Sequence, residues 1–287
     1  MEDALFMRGR VTVVGVLNTT PDSFSDGGRF MTPEGTLNLD AAVAAGLALV
    51  AEGVDVLDVG GESTRPGARE TPAEIELVRT IPLVERLAKT TRAPISIDTR
   101  RAVVAAAALE AGARVVNDVS GLRFDPALAA LVAERGATLI VGHMRGTPAT
   151  MQDAPRYADV LEEVGAELEA SVALARAADV PAERLVIDPG IGFGKRLEDN
   201  LRLLANAGVL GERLGLPVLV GPSRKSFLGR LTGDAPGERD HATVAACAAA
   251  VFAGADGIRV HDGAAGVRAA RVGLALRGAR RPGGAAP

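Results

Sequence analysis

The sequence has 287 residues, of which 47% are hydrophobic and 24% are charged, so the chain can bury the large core of a single α/β domain. A formal net charge of −4 gives no general attraction to nucleic acid or membranes, and an aromatic content of 3% without tryptophan disfavours base-stacking surfaces. The single cysteine, Cys247, excludes an intrachain disulfide, and an acidic start with no long apolar run favours a cytoplasmic enzyme or binding protein.

The first half of the chain repeats one unit, in which an apolar run ends in polar residues and leads into a helical pattern. Long polar loops, residues 19–28 and 60–67, follow the first two runs. Thr71 and Glu74 form the pattern of a capping box with Pro72 at the first helical position, and Asp125 is placed to cap a later helix. The predicted strands cover residues 11–17, 54–59, 94–97 and 114–117, and the predicted helices include residues 37–50 and a short helix ending at Leu109.

The second half repeats the same unit four more times. Apolar runs predict strands over residues 138–141, 185–187, 217–220 and 257–260, and helical patterns include residues 158–178 and 264–276. Eight strand-then-helix units predict a (β/α)8 TIM barrel, an α/β fold, as a single domain over residues 1–277, with a disordered tail over residues 278–287. A doubly wound open sheet uses the same local units and is the alternative fold.

A glycine-rich turn follows the sixth predicted strand and marks a ligand site. Asp188 ends this strand, and Gly190, Gly192 and Gly194 allow the backbone to approach a flat or charged group closely. The glycine spacing is one residue too short for the dinucleotide fingerprint, and Arg196 stands where a P-loop would carry Ser or Thr. The stretch therefore indicates a ligand site of another kind.

Polar residues end each of the eight predicted strands, and a barrel would bring these ends together on one rim. Single residues have structural explanations, since Asp98 could cap a helix and Arg259 could pair with Asp256 or Asp262. A shared polar ligand explains the whole set at once. The set comprises Asn18, Thr64, Arg65, Asp98, Asn117, His143, Asp188, Lys225, Arg259 and His261.

Two kinds of side chain on this rim predict two parts of the ligand. The groups suited to the amino and ring N–H edge of a heterocycle belong to Asp98, Asn117 and Asp188. Arg259, His261 and the start of the last helix form the kind of anion site that barrels use for phosphate. Asn18 could add an oxygen ligand to a magnesium ion held mainly by phosphates, whereas three dispersed histidines and one cysteine do not support zinc. The sequence therefore predicts a phosphorylated heterocycle as the ligand.

Seven blocks of the sequence carry a resemblance to a known family. They are Asn18-Thr-Thr-Pro-Asp-Ser-Phe-Ser-Asp-Gly-Gly28, Asp58-Val-Gly-Gly-Glu-Ser-Thr-Arg-Pro-Gly67, Ile97-Asp-Thr99, Asn117-Asp118, Asp188-Pro-Gly-Ile-Gly-Phe-Gly-Lys195, Ser223-Arg-Lys-Ser226 and Arg259-Val-His-Asp262. These blocks resemble the bacterial dihydropteroate synthases, a family of pterin-binding TIM barrels, occur in the family's order and cover nearly the whole chain. The resemblance implies a barrel, usually a homodimer, that uses magnesium to condense 6-hydroxymethyl-7,8-dihydropterin pyrophosphate with 4-aminobenzoate, giving 7,8-dihydropteroate and pyrophosphate.

The resemblance also implies a role for each matching position. The positions for the pterin are Asp98, Asn117 and Asp188 at the ring edge, Lys225 against the ring, and Met144 and Phe193 in the pocket wall. The positions for the pyrophosphate and the metal are Asn18, Thr64, Arg65, Arg259 and His261, and Val260 is a further substrate-binding position. The positions around 4-aminobenzoate are Phe24, Pro66 and Ser226. Catalysis is assigned to Asp188, Lys225 and Arg259.

Three other functions stay open at the level of sequence. A methyltransferase that moves a methyl group from methyltetrahydrofolate to a corrinoid would share the ring pocket but would need neither Arg259 and His261 nor the two long loops. A Schiff-base aldolase would use Lys225 as its nucleophile. A non-catalytic protein would bind the pterin and release no pyrophosphate. In the synthase, the two long loops are expected to act as mobile lids that exclude water.

Overall fold

The structure is a computed structural model, and it describes residues 4–20, 30, 32 and 36–280. Its eight strands confirm the predicted barrel, and their bounds lie within two residues of the predicted ones. The strands are β1 (Thr12–Asn18), β2 (Val56–Gly60), β3 (Ile95–Asp98), β4 (Val115–Asp118), β5 (Thr138–Gly142), β6 (Leu185–Asp188), β7 (Leu219–Val220) and β8 (Gly257–Val260).

All strand pairs are parallel, and the sheet runs in the order β6-β5-β4-β3-β2-β1-β8-β7. The two terminal strands of this order meet through a parallel bridge between Ile187 and Val218. The N–H of Ile187 also donates to the carbonyl oxygen of Pro217 at 2.9 Å. The sheet therefore closes, which excludes the open-sheet alternative.

Helices follow every strand and cover the outside of the barrel. Two helices follow each of β6 and β7, a doubling that the sequence pattern did not predict. The helices are α1 (Leu39–Glu52), α2 (Ala73–Thr90), α3 (Ala102–Glu110), α4 (Ala127–Arg135), α5 (Val160–Ala177), α6 (Leu197–Ala205), α7 (Ala207–Leu214), α8 (Ser226–Thr232), α9 (Asp240–Phe252) and α10 (Gly263–Ala279).

Side-chain alternation along each strand separates the barrel interior from the core beneath the helices. In β2, Val56 belongs to the interior cluster, Leu57 to the helix-facing cluster, and Asp58 points inward again. The interior cluster comprises Phe6, Val14, Val56, Val115, Ile140, Val186 and Leu219. The next residue on the same inward face is Asn117 after Val115, Asp188 after Val186 and Arg259 after Gly257. The barrel interior is therefore apolar at its amino end and polar toward its carboxyl end.

The helix starts correct one prediction and confirm another. The predicted capping box at Thr71 was wrong, because α2 begins at Ala73 and the N–H of Thr71 donates to Glu62 Oε1 at 3.0 Å. Asp125 does cap a helix, since its Oδ1 accepts the N–H of Ala127 at 3.1 Å. Its Oδ2 also accepts the N–H of Ala102 at 2.8 Å, so one carboxylate serves the starts of both α3 and α4.

The remaining global predictions concern the termini, the cysteine and membranes. The last helix ends at Ala279, three residues later than predicted, so the predicted disordered tail was wrong for residues 278–279. Residues 281–287 lie outside the described part of the chain, and there the tail stays a prediction. Cys247 is buried in α9, and burial raises the pKa of its thiol to about 12, in keeping with a small core residue. No helix in the described ranges is both long and apolar enough to cross a bilayer.

Candidate active site

A cavity of about 410 Å³ opens at the carboxyl end of the barrel, the face on which TIM barrels carry their sites. It is bounded by the ends of β1, β3 and β8 and by the loops after β2, β6 and β7. Among the described residues, its walls are formed by Asn18, Thr20, Glu62, Ser63, Thr64, Arg65, Pro66, Asp98, Met151, Gly192, Phe193, Ser223, Arg224, Lys225, Ser226, Pro236, Arg239, Arg259 and His261.

The structure brings most of the predicted site residues to this cavity. Those that line it are Asn18, Thr64, Arg65, Pro66, Asp98, Phe193, Lys225, Ser226, Arg259 and His261. Asn117 and Met144 are buried, Asp188 is half-buried, and none of the three lines the cavity. The side chain of Val260 packs in the helix-facing core, on the opposite face of β8. Phe24 lies outside the described residues.

Arg259 lies inside the barrel and is held by two carboxylates. Its Nε donates to Asp58 Oδ2 at 2.6 Å, and its Nη2 donates to Asp98 Oδ2 at 2.8 Å. Arg259 therefore pairs with Asp58 and Asp98, and the suggested pairing with Asp256 or Asp262 was wrong. Asp256 accepts backbone N–H groups at the amino end of the barrel, and Asp262 caps α10. Burial opposes the charge of Arg259, but Asp58 and Asp98 outweigh it and raise the pKa of the guanidinium.

The two carboxylates assigned to the ring edge hold their negative charge weakly. Burial raises the pKa of Asp98 to about 7, although Arg259 opposes this rise. Burial also raises the pKa of Asp188, against the opposing effect of Lys225, and Asp188 Oδ1 accepts the N–H of Gly190 at 2.7 Å. A ligand that donates N–H groups to these oxygens stabilises their charged form. Both acids are therefore suited to a donor-rich edge.

Lys225 reaches the cavity from the residue that precedes α8. Its ammonium donates to the carbonyl oxygen of Ile191 and lies 4.3 Å from the centre of the Phe193 ring. Burial lowers the pKa of Lys225 to about 8, although Asp188 opposes this change. Gly192 has a φ of +83°, and a Cβ there would lie 2.7 Å from Lys225 Cδ, so the lysine needs a glycine at this turn. The glycine-rich turn thus makes room for Lys225.

His261 is a half-buried histidine in the cavity wall. The hydroxyl of Ser223 accepts the backbone N–H of His261 at 3.2 Å and lies 2.9 Å from its Nδ1. Burial lowers the pKa of His261 to about 3, helped by Arg259. The ring is therefore neutral, and in the tautomer in which Ser223 donates to Nδ1 the proton is on Nε2, which can donate to an anion.

The prediction that His143 joins the rim was wrong, because strand alternation turns it toward the helices. Ile140 faces the barrel interior, so Val141 and His143 face outward. His143 Nε2 lies 3.1 Å from Glu167 Oε2 on α5, and its Nδ1 lies 3.0 Å from Lys195 Nζ. Burial lowers the pKa of His143 to about 4, so the neutral ring donates to Glu167 and accepts from Lys195.

Lys195 is a buried cation to which the sequence assigned no role. Its Nζ donates to the carbonyl oxygen of Phe193 at 3.0 Å in addition to His143. Burial lowers its pKa to about 7, although Asp188 opposes this change. These bonds hold the turn that carries Phe193 against the end of β5. Lys195 stood at the end of a recognised block, but nothing in the spacing showed that its side chain turns inward.

The second long loop is tied down beside the cavity by a buried ion pair. Arg100 donates to both carboxylate oxygens of Glu62, at 2.9 and 3.0 Å. The N–H of Gly67 donates to the carbonyl oxygen of Pro148 at 2.9 Å. Sequence reasoning missed this pair, because a glutamate in a loop and an arginine after a strand give no signal alone. Lid motion of this loop stays a prediction, and residues 21–29 of the first loop lie outside the described part.

The donor set around Asn18 fits a magnesium ion that is shared with a ligand. Asn18 ends β1 and lines the cavity. The described residues contain no group of three or more His, Cys, Asp or Glu side chains that could hold a metal ion. Magnesium usually takes one or two protein oxygens and completes its shell with water and substrate phosphates. One amide oxygen beside a wall suited to phosphate groups fits that mode.

The fold and the cavity together define a class of enzyme. A closed (β/α)8 barrel carries buried acids deep in its mouth and a guanidinium, an ammonium and a neutral imidazole around them, an arrangement suited to a flat polar ring that bears an anionic group. A family model described as pterin binding enzyme matches residues 14–261, and the chain belongs to this family.

The relatives within this family include several dihydropteroate synthases. The chain is 51% identical over 269 residues to the dihydropteroate synthase of Mycobacterium leprae, covering 91% of this chain and 92% of that protein. It is 47% identical over 254 residues to that of a Synechocystis strain, covering 88% and 86%. The resemblance predicted from the sequence is confirmed.

Solved structures of dihydropteroate synthases share the whole fold. The Yersinia pestis enzyme, solved with a sulfonamide drug, matches with a TM-score of 0.87 at 38% identity, covering 93% of this chain and 94% of that chain. The Xanthomonas albilineans enzyme, solved with 4-aminobenzoic acid, matches with a TM-score of 0.84 at 46% identity, covering 95% and 94%.

Proposed function

We propose that the cavity condenses 6-hydroxymethyl-7,8-dihydropterin pyrophosphate with 4-aminobenzoate to 7,8-dihydropteroate and pyrophosphate, the reaction of dihydropteroate synthases. The observation that carries this proposal is the arrangement of the mouth. Asp98 lines the same cavity as the side chains of Arg259, Lys225 and His261. The size of about 410 Å³ is in the range of small-molecule sites.

The pterin ring is assigned to the deep end of the site. Asp98, Asn117 and Asp188 come from β3, β4 and β6 and would accept the ring's amino and N–H donors. The ammonium of Lys225 and the ring of Phe193 lie 4.3 Å apart and would bound the pterin face. Met144, which is buried, is assigned to the pocket wall by the family resemblance alone. Because the acids are poorly solvated, bonds from a donor-rich ring gain strength.

The pyrophosphate is assigned to the basic wall. Thr64 and Arg65 on the second loop and His261 after β8 line the cavity with Arg259. Asn18 would hold magnesium together with the phosphates. When bound, the metal neutralises charge that develops on the leaving group. Fixed donors aimed at that charge lower the barrier to departure.

The reaction breaks the bond between the pterin methylene carbon and the phosphate oxygen and forms a bond from that carbon to the aminobenzoate nitrogen. The electron pair of the broken bond leaves with pyrophosphate, for which Arg259 is a cationic partner. Asp188 stabilises positive charge on the pterin. Pro66, Ser226 and Phe24 are assigned to the aminobenzoate, whose uncharged amine needs proximity to the carbon rather than a strong base. Its proton is lost after the new bond forms.

Two broader assignments go with this function. We assign the protein a homodimeric state on the family resemblance, which light scattering after size exclusion tests, and we assign it to the cytoplasm. The methyltransferase alternative needs neither Arg259 nor His261, yet both line the cavity, so the synthase is favoured.

The direct test combines the purified chain with both substrates and magnesium. We expect mass spectrometry to detect 7,8-dihydropteroate and a pyrophosphate assay to detect an equal amount of pyrophosphate. We also expect a sulfonamide to compete with 4-aminobenzoate. Pterin binding without dihydropteroate would support a non-catalytic binding protein instead. Borohydride trapping of a carbonyl substrate on Lys225 would support the aldolase.

A further inference from the structure

Asp58 is a buried carboxylate that joins two of the proposed substrate contacts and has no assigned role. It lies in the middle of β2 and is fully buried. Its Oδ2 accepts Nε of Arg259 at 2.6 Å and Nδ2 of Asn117 at 3.3 Å. In the sheet order, β8 and β4 lie two strands away from β2 on opposite sides. One oxygen atom therefore links side chains from three strands across the barrel interior.

The two carboxylates that hold Arg259 differ in their exposure. The Asp58 contact is made by Nε in the barrel interior, where the carboxylate has no exposed surface. The Asp98 contact is made by Nη2, and Asp98 lines the cavity with 12% of its side chain exposed. Burial also raises the pKa of Asp98 to about 7, which weakens its hold on a cation near neutral pH. The Asp58 bond is thus the fixed one, and the Asp98 bond can be exchanged for a ligand phosphate.

Asp58 also fixes the orientation of the Asn117 side-chain amide, because it accepts a hydrogen bond from the amide nitrogen. A carboxylate without a proton only accepts hydrogen bonds, so Asn117 must direct its NH2 group to Asp58. The Oδ1 of Asn117 is then the atom of this amide that Asp58 does not use. This makes Asn117 an acceptor, like Asp98 and Asp188. Three acceptors select a ring edge made of N–H donors.

We propose that Asp58 is a positioning residue that fixes Arg259 toward the phosphates and Asn117 as an acceptor toward the ring, while touching neither substrate part. This inference rests on the proposed function. Among the described residues, Asp58 Oδ1 has no hydrogen-bond partner. A carboxylate needed only to stabilise the fold would gain from a second donor there. Its interactions instead run through the two substrate-contact residues.

The first test is Asp58→Asn, which keeps the shape and removes the charge. Calorimetry with 6-hydroxymethyl-7,8-dihydropterin, which lacks phosphate, reports on Asn117. The affinity for the pterin pyrophosphate divided by the affinity for the phosphate-free pterin reports on Arg259. We expect the affinity for the phosphate-free pterin and this ratio each to fall by about tenfold, in line with the loss of a charge-assisted hydrogen bond. The KM for 4-aminobenzoate is expected to stay within about twofold, because neither Pro66 nor Ser226 contacts Asp58.

The matched control is Asp256→Asn. Asp256 is another buried acid of the barrel, but it accepts the backbone N–H groups of Gly9 and Val218 at the opposite end. We expect this variant to lose stability without a change in either affinity. Equal effects of the two variants on the pterin affinities would overturn the inference, because they would assign Asp58 a purely structural role.

A second comparison covers the case that Asp58→Asn folds poorly. Arg259→Met and the double variant Asp58→Asn/Arg259→Met both remove the guanidinium that Asp58 balances. If Asp58 acts on phosphate through Arg259, the affinity ratio is the same in these two variants. A further drop of about tenfold in the double variant would contradict the positioning role. Absence of dihydropteroate with the wild-type chain would reject the proposed function, whereas the calorimetric ratios still decide the role of Asp58.

Discussion

Because His143 is buried, we expect the free energy of unfolding to fall in acid. In the unfolded chain its pKa is the ordinary 6.5, and burial in the folded chain lowers it to about 4. Because the folded-state pKa is the lower one, the stabilisation is fully present above pH 6.5 and is lost as the pH falls toward 4. The two values differ by about 2.5, and each pKa unit is worth about 1.4 kcal/mol, so up to about 3 kcal/mol of unfolding free energy is lost.

The variant His143→Gln isolates this contribution. Glutamine does not titrate in this range, yet it can donate to Glu167 and accept from Lys195. Urea unfolding followed by circular dichroism at several pH values between 7 and 4.5 gives the difference in unfolding free energy between the two proteins. We expect wild type to lose stability relative to the variant by roughly 1.4 kcal/mol per pH unit in the middle of this window.

The exposed His241 on α9 supplies the control, since it is a histidine outside the core. His241→Gln makes the same substitution without touching the contacts of His143 with Glu167 and Lys195. The burial of His261 does not disturb the comparison, because it is present in all three proteins. A wild-type minus His143→Gln difference that stays constant from pH 7 to 4.5 would refute the assignment of a neutral His143 in the folded chain.

Three further predictions concern the site. Lys225→Ala and Asp188→Asn are each expected to weaken pterin binding about tenfold or more with an unchanged circular dichroism spectrum, and unaltered calorimetric affinity in both would contradict the ring assignment. Chelation of magnesium is expected to abolish turnover, and Asn18→Ala is expected to raise the magnesium concentration that gives half the maximal rate. If this concentration is unchanged in the variant, Asn18 is not a magnesium ligand. Lys195→Met is expected to weaken pterin binding about tenfold through the released Phe193 turn, and a normal affinity would show that the turn holds without it.

The barrel could be predicted from sequence because its signals are local. Each buried parallel strand is a short continuous apolar run, and a polar residue ends it where the carboxyl rim begins. Asp98 and Asp188 were found in this way, since each ends a strand. His143 also follows a strand, but position along the chain does not reveal which face a side chain takes. Strand alternation, counted from the interior residue Ile140, gives the correct outward direction.

The parts that could not be predicted depend on contacts between distant residues. Asp58 sits inside an apolar run and is separated from Arg259 by 201 positions. Its role emerges only when closure of the barrel brings β8 and β2 to either side of β1. Met151 and Arg239 line the cavity from loops after β5 and β7, and the paths of these loops are not encoded in residue spacing. Such loops are placed by their packing on the finished barrel.

The pairing of charges around the mouth gives a physical reason for magnesium in the proposed reaction. Arg259 is already matched by Asp58 and Asp98, and Arg100 by Glu62. A pyrophosphate adds several negative charges to a site whose paired cations can meet it only by giving up carboxylates. Releasing Asp98 is tolerable, because it can take a proton near neutral pH or accept the pterin's N–H donors instead. The remaining negative charge of the leaving group then calls for a divalent cation, which one amide oxygen and the phosphates themselves can hold.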